Sequence, residues 1–67
     1  MVDETYEVEE ALVIRETDKA LLISAPEFEV DQWVPKSQIH EDSEVSVFLN
    51  EGTLTVTMWI AIEKGWV

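Results

Sequence analysis

Trp33-Val34-Pro35-Lys36-Ser37-Gln38-Ile39 is the stretch on which the fold of this chain turns. Only here do a large aromatic, a proline, a cation and a capping hydroxyl fall together. Pro35 disfavours the α region for Val34 and brings no N–H to a strand ladder, so a strand is expected to close there. Ser37 is expected to cap a single helical turn through Ile39. Trp33 falls off the parity of Phe28 and Val30, so either a bulge sits at Asp31-Gln32 or the indole lies on the other face. The stretch reads as a structural corner with Trp33 in the core, and only Lys36 and Gln38 are left free to touch a ligand.

Working outward, Phe28 and Val30 alternate with Glu27, Glu29 and Asp31, a third strand with an acidic outer face. Upstream, Tyr6, Val8, Leu12 and Ile14 share one parity, and Glu7, Glu9, Val13 and Arg15 the other. Period two predicts a half-buried strand, with a bulge near Glu9-Glu10-Ala11 or an early strand end where Glu10 breaks the pattern. Glu16-Thr17-Asp18-Lys19 is a polar turn, and Ala20 to Ala25 returns as a second strand that Pro26 ends. Leu21-Leu22-Ile23 is apolar on both faces, which suits a central strand.

Downstream, His40-Glu41-Asp42-Ser43-Glu44 reads as a loop, and Val45, Val47 and Leu49 as a fourth strand. Asn50-Glu51-Gly52-Thr53 reads as a turn with Gly52 at positive φ, followed by a fifth strand of Leu54, Val56 and Met58. The tail Met58-Trp59-Ile60-Ala61-Ile62-Glu63-Lys64 loses the alternation. Thr57 as N-cap, Lys64 near the end and Gly65 at C′ predict a short helix, with Trp66 folding back onto Ile60 or Ala61. The alternative is a longer fifth strand through Ile62. Residues 1–67 form one domain, mainly β: a small five-stranded barrel of SH3-like or OB-like type with a short C-terminal helix.

Composition narrows the function classes. The 67 residues hold fifteen Asp/Glu against four Lys/Arg, a formal net charge of −11. Such a field repels phosphate backbones, and Arg15, Lys19, Lys36 and Lys64 are scattered singly, so direct nucleic-acid binding is not expected. A hydrophobic fraction of 46% argues for a folded domain. The absence of cysteine removes disulfides and thiolate zinc sites. The acidic Met1-Val2-Asp3-Glu4-Thr5 is unlike a secretory signal, and no apolar run reaches the roughly 18 residues of a membrane helix. A soluble, cytoplasmic protein is expected.

The corner heptapeptide, the acidic loop with Asp42-Ser43-Glu44 and the tail Met58-Trp59-Ile60-Ala61-Ile62-Glu63-Lys64-Gly65 resemble a group of short phage and prophage proteins. Those proteins carry a Trp-hydrophobic-Pro-Lys-Ser-Gln-Ile segment, an acidic loop and a Trp-containing C-terminal helix ending Lys-Gly. The resemblance covers roughly residues 11–66 and implies a phage or bacterial cytoplasmic setting, without a settled activity. Thr57-Met58 stands where a polar or acidic lead-in to the helix is expected in that group.

No residue set recommends catalysis. His40, beside Glu41 and Asp42, is the only histidine, too few for a zinc site or a Ser-His-Asp triad. No enzyme activity, cofactor or metal is expected. The alternating acids Glu7, Glu9, Glu27, Glu29 and Asp31, spaced about 6.5–7 Å along a strand, instead suggest a face that docks a basic protein. A nucleic-acid-binding or host defence protein, engaged by mimicry, is one such partner. Trp66, placed last among the aromatics, is expected to be partly exposed at that contact. The alternative is a sponge-like small-molecule or nucleotide site at Trp33, Lys36, Ser37 and Gln38. Three tryptophans on a thin core also suggest a homodimer or larger homo-oligomer.

Overall fold

The computed structural model describes residues 4–67; Met1, Val2 and Asp3, part of the acidic stretch read above as unlike a secretory signal, lie outside them. Four strands, β1 (Thr5–Glu16), β2 (Ala20–Ser24), β3 (Gln32–Pro35) and β4 (Glu51–Thr57), form one antiparallel sheet in the order β3-β2-β1-β4. A 3-10 turn (Lys36–Gln38) follows β3, and a helix, α1 (Met58–Glu63), follows β4. The sheet curls into a half-barrel. Beyond the 3-10 turn, Ile39 bridges to Val56 on β4, so the chain leaving one edge strand touches the other. Among the described residues no helix is long and apolar enough to cross a membrane.

The first hairpin follows from local chemistry. Thr17 Oγ1 accepts the Ala20 N–H at 3.0 Å, and the Thr17 N–H donates to the Ala20 carbonyl at 2.9 Å, closing the polar turn between β1 and β2. Long β1 stays in register with β4 only by a bulge. Val8 pairs with Leu54 and Ala11 with Gly52, so Glu9 and Glu10 together oppose Thr53. Glu10 takes a left-handed φ of 56° there. The bulge reverses the parity beyond it. Val8, Ala11 and Val13 are fully buried, whereas Leu12 and Ile14 are only half-buried, opposite to the alternation read from the sequence.

Of the five expected strands four form: the third is confined to Gln32–Pro35, leaving 27–31 outside it, and the fourth, at 45–49, is absent. In 27–31 the Phe28 N–H donates to the Ala25 carbonyl in a turn, Phe28 leans on the core, and Val30 is exposed. That segment has no ladder to join, because Gln32–Pro35 already occupies the free edge of β2. In 45–49 Val45 is buried, but Val47, Phe48 and Leu49 are exposed. Asn50 Oδ1 accepts the N–H groups of Ser46 and Val47, each at 3.1 Å, and this local bonding curls the chain out of any extended form.

The corner is built differently from its reading. Pro35 closes β3 as expected, but from within the ladder, pairing with Ala20 as the strand's last residue. The Lys36 N–H donates to Lys19 at 2.7 Å, so alternation along an antiparallel pair turns the backbone of Trp33 and Pro35 away from β2. A missing N–H costs nothing on that side, which is where edge prolines are found. The 3-10 turn starts from Pro35 with no side-chain cap, and Ser37 is exposed. Val34 is fully buried, and Trp33, expected in the core, is 44% exposed on the opposite face beside Leu22.

The helix follows the expected signals. Thr57 Oγ1 accepts the Ile60 N–H at 3.3 Å and donates to Gln38 Oε1 at 2.6 Å, tying the 3-10 turn to the helix start. At the other end the Gly65 N–H reaches the Ile62 carbonyl and the Trp66 N–H reaches that of Ala61, with Gly65 at φ 77°. This is the paired bonding of a Schellman ending. Ile60 and Ala61 face the core. Trp66 closes its open end, 4.7 Å from Phe28 and 6.0 Å from Tyr6 between ring centroids.

Candidate functional site

Cross-strand pairing assigns the side chains to faces. Val13 with Ile23, Leu21 with Val34, and Val8 with Leu54 point inward. The outer face therefore carries Glu7 and Glu9 on β1, Leu12 opposite Glu51 and Ser24, and the row Arg15, Leu22 and Trp33 across three strands. Glu7, Glu9, Glu51 and Trp33 are exposed, and Leu12 and Leu22 are half-buried. One end of this face is acidic and the other apolar with a cation.

The acids grouped from the sequence do not form one ladder. Glu7 and Glu9 share the outer face of β1, spaced about 7 Å as a strand dictates. Glu27, Glu29 and Asp31 are exposed but lie outside any strand. Glu27 turns toward the core side, where its Oε2 accepts the Tyr6 hydroxyl at 2.7 Å. That carboxylate, with some desolvation, holds the Tyr6 phenol above its ordinary pKa. Trp66 is half-buried on the aromatic cluster, and its Nε1 is buried with no hydrogen-bond partner among the described residues. Glu51 was missed because only pairing with β1 brings it beside Leu12, and pairing between distant segments leaves no local signal.

The alternative site is dispersed as well. Trp33 faces outward on the sheet, Gln38 is bonded to Thr57, and Ser37 faces solvent. Lys36 Nζ meets Glu16 Oε2 at 2.6 Å. Glu16 Oε1 accepts the Phe48 N–H at 2.9 Å, so one carboxylate joins the end of β1, the 3-10 turn and the apolar loop. The Lys36 ammonium, helped by the Phe48 N–H and only weakly opposed by desolvation, holds the Glu16 carboxyl below its ordinary pKa.

Around this junction an open cleft of about 530 Å³ is lined by Ile14, Arg15, Glu16, Thr17, Asp18, Lys36 and Phe48. A smaller one of about 220 Å³ lies on the other side of Lys36, against Ile39, His40, Glu41, Ser43 and Ser46. His40 Nδ1 accepts the Asp42 N–H at 3.1 Å, a turn-forming contact within its loop. Among the described residues no three His, Asp or Glu groups converge as a metal site.

The hairpin tip and Lys36 place Arg15, Lys19 and Lys36 close to Glu16 and Asp18, a local balance of plus one. The rest of the chain then holds thirteen carboxylates against Lys64, a balance of minus twelve. Three of the four cations thus gather around the hairpin tip, with Glu41 on the far side of Lys36, a grouping that a count over the sequence does not reveal. Compared with protein-family models, curated proteins and solved structures, the chain matches none.

Proposed function

We propose that this protein is a non-enzymatic interaction module, phage or bacterial in setting, whose outer sheet face docks a basic partner protein. The observation that carries the reading is the composition of that face: Glu7, Glu9 and Glu51 at one end and an exposed Trp33 backed by Leu22 at the other. Tryptophan is a preferred anchor at protein interfaces, and acids around it steer a cationic partner into register. Occupying the nucleic-acid groove of a host protein by mimicry is the finer form of the same reading. The half-barrel sheet, with its ends joined through the 3-10 turn, supports an SH3-like rather than an OB-like description of the scaffold. Trp59 and Ile62, exposed on one side of α1, support self-association through a separate surface.

The test is capture of a partner from bacterial lysate on immobilised protein, followed by salt elution and identification. Reversing Glu7, Glu9 and Glu51 to Lys, or changing Trp33→Ala, is expected to abolish capture of a protein that Glu63→Lys retains. The reading fails if the same protein is captured equally by the parent and the three variants, or if its elution is indifferent to salt.

A further inference from the structure

We infer that the cleft beside Arg15 and Phe48 is a binding site for a carboxylate borne on an apolar body, such as an acylated aromatic amino acid or a chain end of that type. It adjoins the outer face through Arg15 but depends on neither Trp33 nor the acids of that face. Three observations converge on it.

First, the Arg15 side chain makes no ion pair or hydrogen bond among the described residues, whereas the neighbouring Lys36 is neutralised by Glu16 at 2.6 Å. Among the described residues the cleft therefore offers one unpaired guanidinium, whose planar donors match one carboxylate bidentately. A phosphate ester, at about −1.5 to −2, would meet Asp18 on the rim and the net negative charge beyond. A monoanion is the better match.

Second, one part of the otherwise polar wall is apolar and already fixed. Ile14 and Phe48 line the cleft, and Phe48 is 52% exposed although its backbone is held. Its N–H is bonded to Glu16, the Leu49 N–H to the Val13 carbonyl, and the N–H groups of Ser46 and Val47 to Asn50 Oδ1. A ring presented on a bonded loop loses little freedom when it is covered. Third, Leu49, next to that ring, has a left-handed φ of 69°. Such strain in a side-chain-bearing residue persists only where the surroundings impose it, and it gathers at ligand-holding loops. The cleft volume of about 530 Å³ also lies within the range of small-ligand sites.

The test is a titration of the isotope-labelled full chain, followed by amide chemical shifts, with three probes. They are N-acetyl-phenylalanine, its carboxamide, and a tripeptide ending in phenylalanine with a free carboxylate. Saturable shifts are expected at Ile14, Arg15 and Phe48. The carboxamide should bind at least about tenfold more weakly, the scale of one charge-assisted contact. Arg15→Gln should lose a similar factor toward the acids and leave carboxamide binding unchanged, a pattern that misfolding would not give. Saturation by the acylated amino acid supports a small-molecule source, and saturation by the tripeptide alone supports a chain end. The inference is overturned if acid and carboxamide bind equally, if Arg15→Gln binds the acids like the parent, or if no probe gives saturable shifts at these residues.

Discussion

Glu16 shows how much one carboxylate at the rim of the sheet holds in place. Its two oxygens serve the Lys36 ammonium and the Phe48 N–H, and both partners bind the ionised form more strongly than the neutral one. Its pKa is therefore lower in the folded chain than in the unfolded one. A depressed carboxyl contributes stability that is present above the unfolded value of about 4.3 and is lost as pH falls through the folded one. Glu16→Gln keeps an oxygen for Phe48 and removes the charge. This variant is expected to unfold at lower denaturant than the parent at about pH 7, with the gap closing by about pH 3. Denaturant midpoints at the two pH values check it, and a gap that persists in acid would refute the ion-pair account.

Elements whose signals are local were legible in the sequence, and those set by distant pairing were not. The first hairpin, the 3-10 turn after Pro35 and the capped C-terminal helix each depend on residues within a few positions of one another, and each stands where its residues indicated. The strands expected at 27–31 and 45–49 had the right alternation, but alternation does not supply a neighbour. The edge of β2 was taken by Gln32–Pro35, and that of β4 is covered by an irregular run. There the His40 N–H donates to the Thr55 carbonyl, and Ser43 Oγ and Glu44 Oε1 accept the N–H groups of Thr55 and Thr53. Side-chain oxygens thus accept the N–H groups of an edge whose carbonyls take backbone N–H groups, where a fifth strand would have supplied backbone for both. The candidate surfaces shared this limit: Glu7 and Glu9 could be read as neighbours, but Glu51, Arg15 and Phe48 acquire their meaning only through contacts made by the fold. Ser43→Ala leaves the Thr55 N–H without its acceptor, at a cost of about 1–3 kcal/mol. Hydrogen exchange at Thr55 is expected to accelerate while exchange at Val13 changes only with global stability; an unchanged Thr55 rate would show that the hydroxyl does not seal the edge.

Across the whole molecule, charge works against compactness. A formal charge of −11 sits on a chain in which, among the described residues, Lys36 with Glu16 is the one Lys–carboxylate pair. Salt screens the repulsion among many acids more than it weakens one pair, since the screening length falls from about 30 Å at 0.01 M to about 3 Å at 1 M. Added sodium chloride is therefore expected to raise the thermal midpoint, by about 4–8 °C for each kcal/mol of repulsion relieved in a domain of this size. Thermal unfolding at constant protein concentration tests the sign, and a midpoint that falls with salt would mean that attractive pairs dominate. Sedimentation under the same conditions separates this effect from self-association through Trp59 and Ile62, which the same screening would favour.

The bulge in β1 has a consequence for how this chain tolerates change in length. Glu9 and Glu10 face a single residue, and the inward positions on either side, Val8 and Ala11, are set by that extra unit. Losing the codon for Glu10 would leave Glu9 alone opposite Thr53, with Val8 and Ala11 still directed inward, so the strand straightens and the core keeps its occupants. Losing one codon from the bulge-free pairing of β2 with β3 would turn every inward side chain beyond it to the outside. A one-residue deletion is therefore survivable at a bulge and ruinous in regular pairing, and Glu10 marks a place where the chain can be shortened.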